Sequence, residues 1–143
     1  MLLKDKVIFL TGGSTGIGWE CAKAYVAEGA RVAIAALGES AVEKAVAELG
    51  PEHLGLTCDV SHDAEVREAI DRTLDRYGRI DAVHNNAGIS SPVKTLHETT
   101  EAEWDALFNT NLKGVLLTTR HAFASLRESK GCILNTSSLV GVI

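Results

Sequence analysis

Apolar residues along the chain fall into short unbroken blocks, separated by stretches in which they recur every three or four positions. The blocks are too short for helices, and their apolar, often β-branched residues predict buried strands at about 6–10, 31–36, 54–58, 80–84 and 132–135. The first of them carries Val7, Ile8, Phe9 and Leu10. The stretches between predict helices. One covers about 15–28, with Ile17, Cys21, Ala24 and Tyr25 at helical spacing and Gly29 as its stop. The next carries Val42, Ala45, Val46 and Leu49 on one face and halts at Gly50-Pro51. A third has Val66, Ile70, Leu74 and Tyr77 along one stripe, with Ser61 as N-cap and Gly78 closing it. Residues 88–99 read as loop. Thr100 and Glu103 then have the spacing of a capping box for a long helix reaching about residue 128, whose apolar positions are Leu107, Phe108, Leu112, Val115, Leu116 and Phe123.

Strand and helix alternate without repeats or low-complexity sequence, and residues 1–143 read as one domain. Strands of nearly continuous apolar character joined by helices predict an α/β fold, a parallel sheet covered on both faces. Right-handed crossovers make the sheet doubly wound and Rossmann-type, in order 3-2-1-4-5 for these residues, with a ligand expected at the carboxyl ends of its strands.

Chemistry enters at the first strand's end, where Thr11-Gly12-Gly13-Ser14-Thr15-Gly16-Ile17-Gly18 runs into the first helix. A sharp strand-to-helix turn leaves unpaired amides at the helix start, with positive partial charge pointing outward. A phosphate settles there if the backbone can come close, which favours residues without a Cβ. Gly12 suits the turn, Gly16 the approach, and Gly18 the close packing of helix on strand, so the run predicts a cradle for a dinucleotide pyrophosphate. A plain turn is the competing reading. A P-loop is excluded, because no Gly-Lys-Ser/Thr follows the glycines.

A net charge of −5 and a pI near 5.5, with no Lys/Arg cluster, argue against nucleic acid or an anionic membrane as partner. No apolar run approaches the roughly 20 residues that cross a bilayer. The apolar part of the first six residues is too short for a signal peptide. Cys21, Cys58 and Cys132 are odd in number and scattered, and they read as small core residues in a reducing cytoplasm. His53, His62, His84, His97 and His121 are dispersed, and Cys58 with His62 does not close a zinc site, so no metal is expected. His84 stands in the fourth strand where an apolar residue would be usual, with no role apparent from the sequence.

Five motifs in order resemble those of the short-chain dehydrogenase/reductase family, and the resemblance covers the whole chain. The glycine run is similar to the family's Thr-Gly-x-x-x-Gly-Ile-Gly, and Asp59-Val60 to its adenine-contacting pair. Asn85-Asn86-Ala87-Gly88 matches its Asn-Asn-Ala-Gly, Asn111 its active-site asparagine, and Asn135-Thr136-Ser137-Ser138 the segment ending in the catalytic serine. The resemblance implies an NAD(P)-dependent oxidoreductase acting on a secondary alcohol or ketone. It assigns the cofactor to Gly12, Ser14, Thr15, Gly16, Ile17, Gly18, Ala36, Leu37, Asp59, Val60, Asn86, Ala87 and Gly88, and catalysis to Asn111 and Ser138. It further implies a homodimer or homotetramer packed through the long helix.

Each assignment has a plainer counterpart. Asp59 could accept from an adenine amino group or help cap the following helix. Asn86-Ala87-Gly88 could admit the cofactor ribose, with an Asn tying strands together, and also be a turn. Asn111 is a poor helix former, and either orients a relay water or is satisfied within the fold. Ser138 could hydrogen-bond a substrate carbonyl or be a loop serine, and no Gly-x-Ser-x-Gly elbow marks it as a hydrolase nucleophile.

The family's tyrosine, with a lysine four residues on, falls about a dozen residues beyond the serine, so the chain is expected to be the amino-terminal part of a longer enzyme and to turn over little alone. Tyr25 and Tyr77 are expected to pack away from the strands' carboxyl ends. Ile133, Leu134, Leu139, Val140, Val142 and Ile143 are then expected at an exposed margin. An acidic residue ending strand two selects NAD, and a nearby Arg selects NADP. Here the stretch is Ala35-Ala36-Leu37-Gly38-Glu39-Ser40, and a slight preference for NAD rests on Glu39. The alternative to an enzyme is a non-catalytic dinucleotide-binding module acting through partner contacts.

Overall fold

The computed structural model describes residues 1–90 and 94–138. At its centre lies β1 (Val7–Thr11), every residue of it buried. Such a strand needs a neighbour on both edges and cover on both faces. Its edges pair in parallel with β2 (Arg31–Ala36) and β4 (Ala82–Asn85), so that Ile8 stands between Val32 and Ala82. β3 (Leu54–Thr57) pairs beyond β2 and β5 (Cys132–Asn135) beyond β4, giving the order β3-β2-β1-β4-β5.

Alternation along β1 divides the core in two. Ile8 and Leu10 join Val32 and Ile34 under α1 (Gly16–Ala27) and α2 (Glu39–Leu49). Phe9 joins Ala33, Leu56, Val83, Val66 and Ile70 under α3 (Asp63–Tyr77), with Leu117, Ala122 and Leu126 of α5 (Gly114–Ser129). A 3₁₀ turn at Leu96–Glu98 and the helix α4 (Glu101–Phe108) precede α5. The expected capping box at Thr100 and Glu103 is present. Among the described residues no helix is long and apolar enough to cross a membrane.

Several local expectations are corrected. The inward face of α1 is Gly18 and Ala22, while Ile17 is 68% exposed. Small residues one turn apart let this helix lie close on the sheet, and Trp19, Tyr25 and Val26 pack against the core beside them. The helix after Thr100 is not uniform either: a π segment at Asn109–Lys113 links α4 to α5. Its wider turn rotates the register, so Gly114, Leu117, Thr118, Ala122 and Leu126 face inward. Phe108, Leu112, Leu116 and Phe123 are left exposed. Ser61 is not the N-cap of α3. Asp59 Oδ1 takes both the amide and the hydroxyl of Ser61, and the cap falls to His62. The expected loop at 88–99 contains the 3₁₀ turn, closed by Thr95 and Glu98. Cys132 is exposed rather than in the core. Ile133 and Leu134 are exposed on β5 as expected, whereas Leu139, Val140, Val142 and Ile143 lie outside the described residues.

Asp81 anchors the amino-terminal end of the sheet. Its buried carboxylate accepts from the Val7 amide at 3.0 Å, from Lys6 Nζ at 3.2 Å and from Arg79 Nε and Nη2 at 3.0 and 2.6 Å. Burial works to raise its pKa, but the Val7, Arg79 and Lys6 bonds outweigh it and hold the carboxyl below its ordinary value. A carboxyl depressed in the folded state stabilises the fold above its unfolded pKa, and that contribution is lost as pH falls through the folded value. Asp81→Asn is therefore expected to cost about 1–3 kcal/mol near pH 7 in urea unfolding, with the gap to wild type narrowing once pH drops below about 4. A gap independent of pH contradicts the assignment.

Candidate functional site

At the carboxyl edge of the sheet the chain leaves β1 and β4 side by side, and one hydroxyl joins them. Thr11 Oγ1, fully enclosed, accepts from the amides of Asn86 and Ala87, each at 3.0 Å, and lies 3.5 Å from the His84 carbonyl. Asn86 completes the joint from the other side, its Nδ2 donating to the carbonyls of Thr11 and Gly12 at 3.2 Å each. Backbones this close exclude side chains. A Cβ on Gly12 would stand 2.9 Å from Ala87 Cα, and one on Gly18 would overlap the Gly12 carbonyl oxygen. Both glycines are therefore set by packing, as the sequence pattern anticipated for Gly18.

Beyond this joint opens a cleft of about 430 Å³, within the range of small-molecule sites. Gly12, Ser14 and Thr15 line it from the β1–α1 loop and Ile17 from the first turn of α1, Ala36 and Leu37 from the end of β2, and Cys58, Asp59 and Val60 from beyond β3. Asn86, Ala87, Gly88 and Ile89 line it after β4, facing Thr110 of the π segment and Thr136 after β5. Of the residues expected to hold a cofactor, Gly16 and Gly18 are outside this lining among the described residues. Gly18 is packed behind the loop. Gly16 has φ +56° at the mouth of α1, with no atom within 4 Å of where its Cβ would be.

The charge pattern at α1 suits an anion. Thr15 caps the helix by position but makes no side-chain bond to its amides, and the first turn holds no acidic residue. Donors at a helix start without a carboxylate present positive partial charge to the cleft. A dinucleotide pyrophosphate fits this bare terminus beside the open space above Gly16.

Asp59 supplies the opposite charge. Burial favours its neutral form, yet the amide and hydroxyl of Ser61, with His62 nearby, more than offset this and keep its pKa below the ordinary value. One oxygen is thus committed to Ser61 and the other lies 3.8 Å from His62 Nδ1. These bonds close the turn ahead of α3 rather than cap the helix as the alternative expected, and the carboxylate still lines the cleft. Next to it, burial first and then the Glu65 and Asp59 carboxylates push the Cys58 thiol up to about 12, so it is a neutral wall and no nucleophile.

The two residues assigned to catalysis lie at the cleft margin. Asn111 is bonded at both ends to Ile89: its Oδ1 accepts from the Ile89 amide and its Nδ2 donates to the Ile89 carbonyl, each at 2.8 Å. Its side chain is satisfied within the fold, and through Ile89 it fixes one wall. Ser138 is exposed three residues past the end of β5, and is outside the cleft lining among the described residues. Asn85 ties this end together, donating to Asn135 Oδ1 at 2.9 Å and accepting from the Thr118 hydroxyl. Tyr77 is remote, its hydroxyl on the Glu52 carbonyl, but Tyr25 reaches from α1 to β4, its hydroxyl 3.0 Å from His84 Nδ1.

The profile of the short chain dehydrogenase family matches residues 6–143. The chain belongs to this family. Among its relatives, L-fucose dehydrogenase of Bos taurus is 38% identical over 96% of the chain and 51% of its own length. Cyclopentanol dehydrogenase of Comamonas testosteroni is 36% identical over 99% of the chain and 58% of its own length. Among solved structures, the 3-ketoacyl-(acyl-carrier-protein) reductase of Brucella melitensis, complexed with NADH, superposes with a TM-score of 0.93 at 30% identity, over 95% of the chain and 58% of that protein. The chain thus spans about half the length of the curated relatives it matches.

Sequence reasoning did not single out Thr11, Thr110, Ile89 or Thr136. Thr11 and Thr136 stand inside the quoted motifs, but only the strand register reveals that their hydroxyls face other strands. Thr11→Val keeps the shape and removes the acceptor of two amides, so it is expected to cost about 1–3 kcal/mol of stability. Thr11→Ser, which restores the oxygen, is expected to recover most of that loss in the same urea titration. Equal losses in both variants contradict the hydroxyl's role.

Proposed function

We propose that the cleft binds a nicotinamide dinucleotide and that the protein is an oxidoreductase acting on a secondary alcohol or ketone. The observation that carries this reading is the uncapped, acid-free start of α1 opening on a cleft of about 430 Å³. The NADH held by the structural relative from Brucella melitensis supports it. When bound, the nicotinamide supplies or accepts the hydride.

The residues of this chain divide the remaining work. The Gly12–Gly18 loop holds the pyrophosphate, Asp59 and Val60 border the adenine, and Asn86, Ala87 and Gly88 let the ribose pass close to the end of β4. Ser138 hydrogen-bonds the substrate oxygen from the end of β5. Asn111, its amide already engaged with Ile89, acts first by fixing that wall and only then through any relay water. Neither Tyr25 nor Tyr77 is followed four residues on by lysine, those positions being Gly29 and Asp81, so neither provides the proton-transfer pair the family resemblance implies. General acid–base catalysis is worth roughly 10²–10⁴ in rate, and residues 1–143 alone are accordingly expected to bind cofactor with little turnover. The exposed Leu112, Leu116 and Phe123 on one side of the long helix support association with a second copy.

NAD is favoured over NADP, because no Lys or Arg lines the cleft among the described residues and Ala36 and Leu37 end β2 without a guanidinium for a 2′-phosphate. Fluorescence titration of the protein, expressed from its complete reading frame, is expected to show tighter binding of NADH than of NADPH. A tenfold preference for NADPH overturns the cofactor choice, and binding of neither overturns the function.

A further inference from the structure

His84 is 4% exposed, paired between Leu10 of β1 and Leu134 of β5, and the proposed chemistry does not use it. It sits at the centre of a continuous hydrogen-bonded chain. Tyr25 Oη lies 3.0 Å from His84 Nδ1, and His84 Nε2 lies 2.9 Å from Thr136 Oγ1. The Thr136 hydroxyl donates to Asn86 Oδ1 at 3.2 Å, and Asn86 Nδ2 donates to the Thr11 and Gly12 carbonyls.

The far end sets the direction of every proton. Asn86 must present its amide nitrogen to two carbonyls, so its oxygen must face Thr136. Thr136 must then donate its single hydroxyl proton to that oxygen, which leaves only lone pairs for His84. His84 must therefore carry its proton on Nε2, and its bare Nδ1 takes the proton of the Tyr25 hydroxyl. Burial pushes the His84 pKa below its ordinary value, in keeping with the neutral imidazole this pattern requires. A leucine at this position would break the chain at both ends, and the Thr136 hydroxyl could turn away from Asn86.

We propose that His84 is a positioning residue for the cleft: its Nε2 proton holds the Thr136 hydroxyl on Asn86 Oδ1, and so fixes where the Asn86 side chain, and with it Gly12, stands at the cleft wall. Its consequence for affinity rests on the dinucleotide reading above. Its consequence for Asn86 does not.

The test uses the protein expressed from its complete reading frame, with nitrogen-15 NMR of the histidine ring and of the Asn86 and Gly12 amides, alongside NADH titration. Wild type is expected to show a neutral His84 protonated on Nε2. Tyr25→Phe, which removes one hydroxyl from a surface helix, is expected to shift the Nδ1 resonance without moving the proton. His84→Leu is expected to displace the Asn86 side-chain and Gly12 resonances and to raise the NADH Kd about tenfold, the effect of losing one well-placed hydrogen bond. His84→Gln, whose amide nitrogen can reach Thr136, is expected to restore both the resonances and the affinity to within about threefold of wild type. A proton on Nδ1 overturns the proposal, and so do unmoved Asn86 and Gly12 resonances in His84→Leu or a His84→Gln variant no better than His84→Leu. If the resonances behave as stated while wild type binds no NADH, the positioning role stands and the dinucleotide reading falls.

Discussion

The bonds between the Thr11 hydroxyl and the amides of Asn86 and Ala87 are the constraint on which the site depends. Two parallel strands that end side by side normally splay into separate loops, because their ladder stops and nothing holds the next residues together. Here a buried oxygen continues the ladder past its end, and the Asn86 amide returns two bonds to the β1 side. The loop entering α1 and the loop leaving β4 become one rigid wall. A phosphate cradle needs this rigidity, since amides aimed at an anion contribute most when they need not reorganise on binding.

The rest of the fold serves that wall. A β1 strand buried on every residue cannot shift relative to β2 and β4 without exposing one of the two core layers. At the opposite end Asp81 clamps the start of β1. Around the cleft, several polar side chains also serve as structural ties: Asn111 to Ile89, Asn85 to Asn135 and Thr118, Asp59 to Ser61. The polar residues of this edge hold backbone in place beside the uncapped start of α1.

How far the sequence reveals this follows from the range of each interaction. The strands, their order and the cleft at their carboxyl ends were legible, because apolar blocks and glycine turns are local signals. The inward face of α1 was legible only in part: Tyr25 packs on the core, but close packing runs through Gly18 and Ala22, and Ile17 is exposed. The π segment at Asn109–Lys113 was invisible to a pattern that assumes a uniform helix, and it inverted the apparent core face of α5. Hydroxyl partnerships such as Thr11 with Asn86, or Thr136 with His84, join residues 75 and 52 positions apart, and no local pattern encodes them.

The most direct test of the wall and its cradle is a crystal structure of the protein, expressed from its complete reading frame, with an oxidised nicotinamide dinucleotide bound. The pyrophosphate oxygens should lie about 2.7–3.2 Å from backbone amides at the start of α1, above Gly16, with Thr11 still bonded to Asn86 and Ala87. A dinucleotide whose pyrophosphate is held by side chains elsewhere, leaving the α1 amides to solvent, would contradict the account.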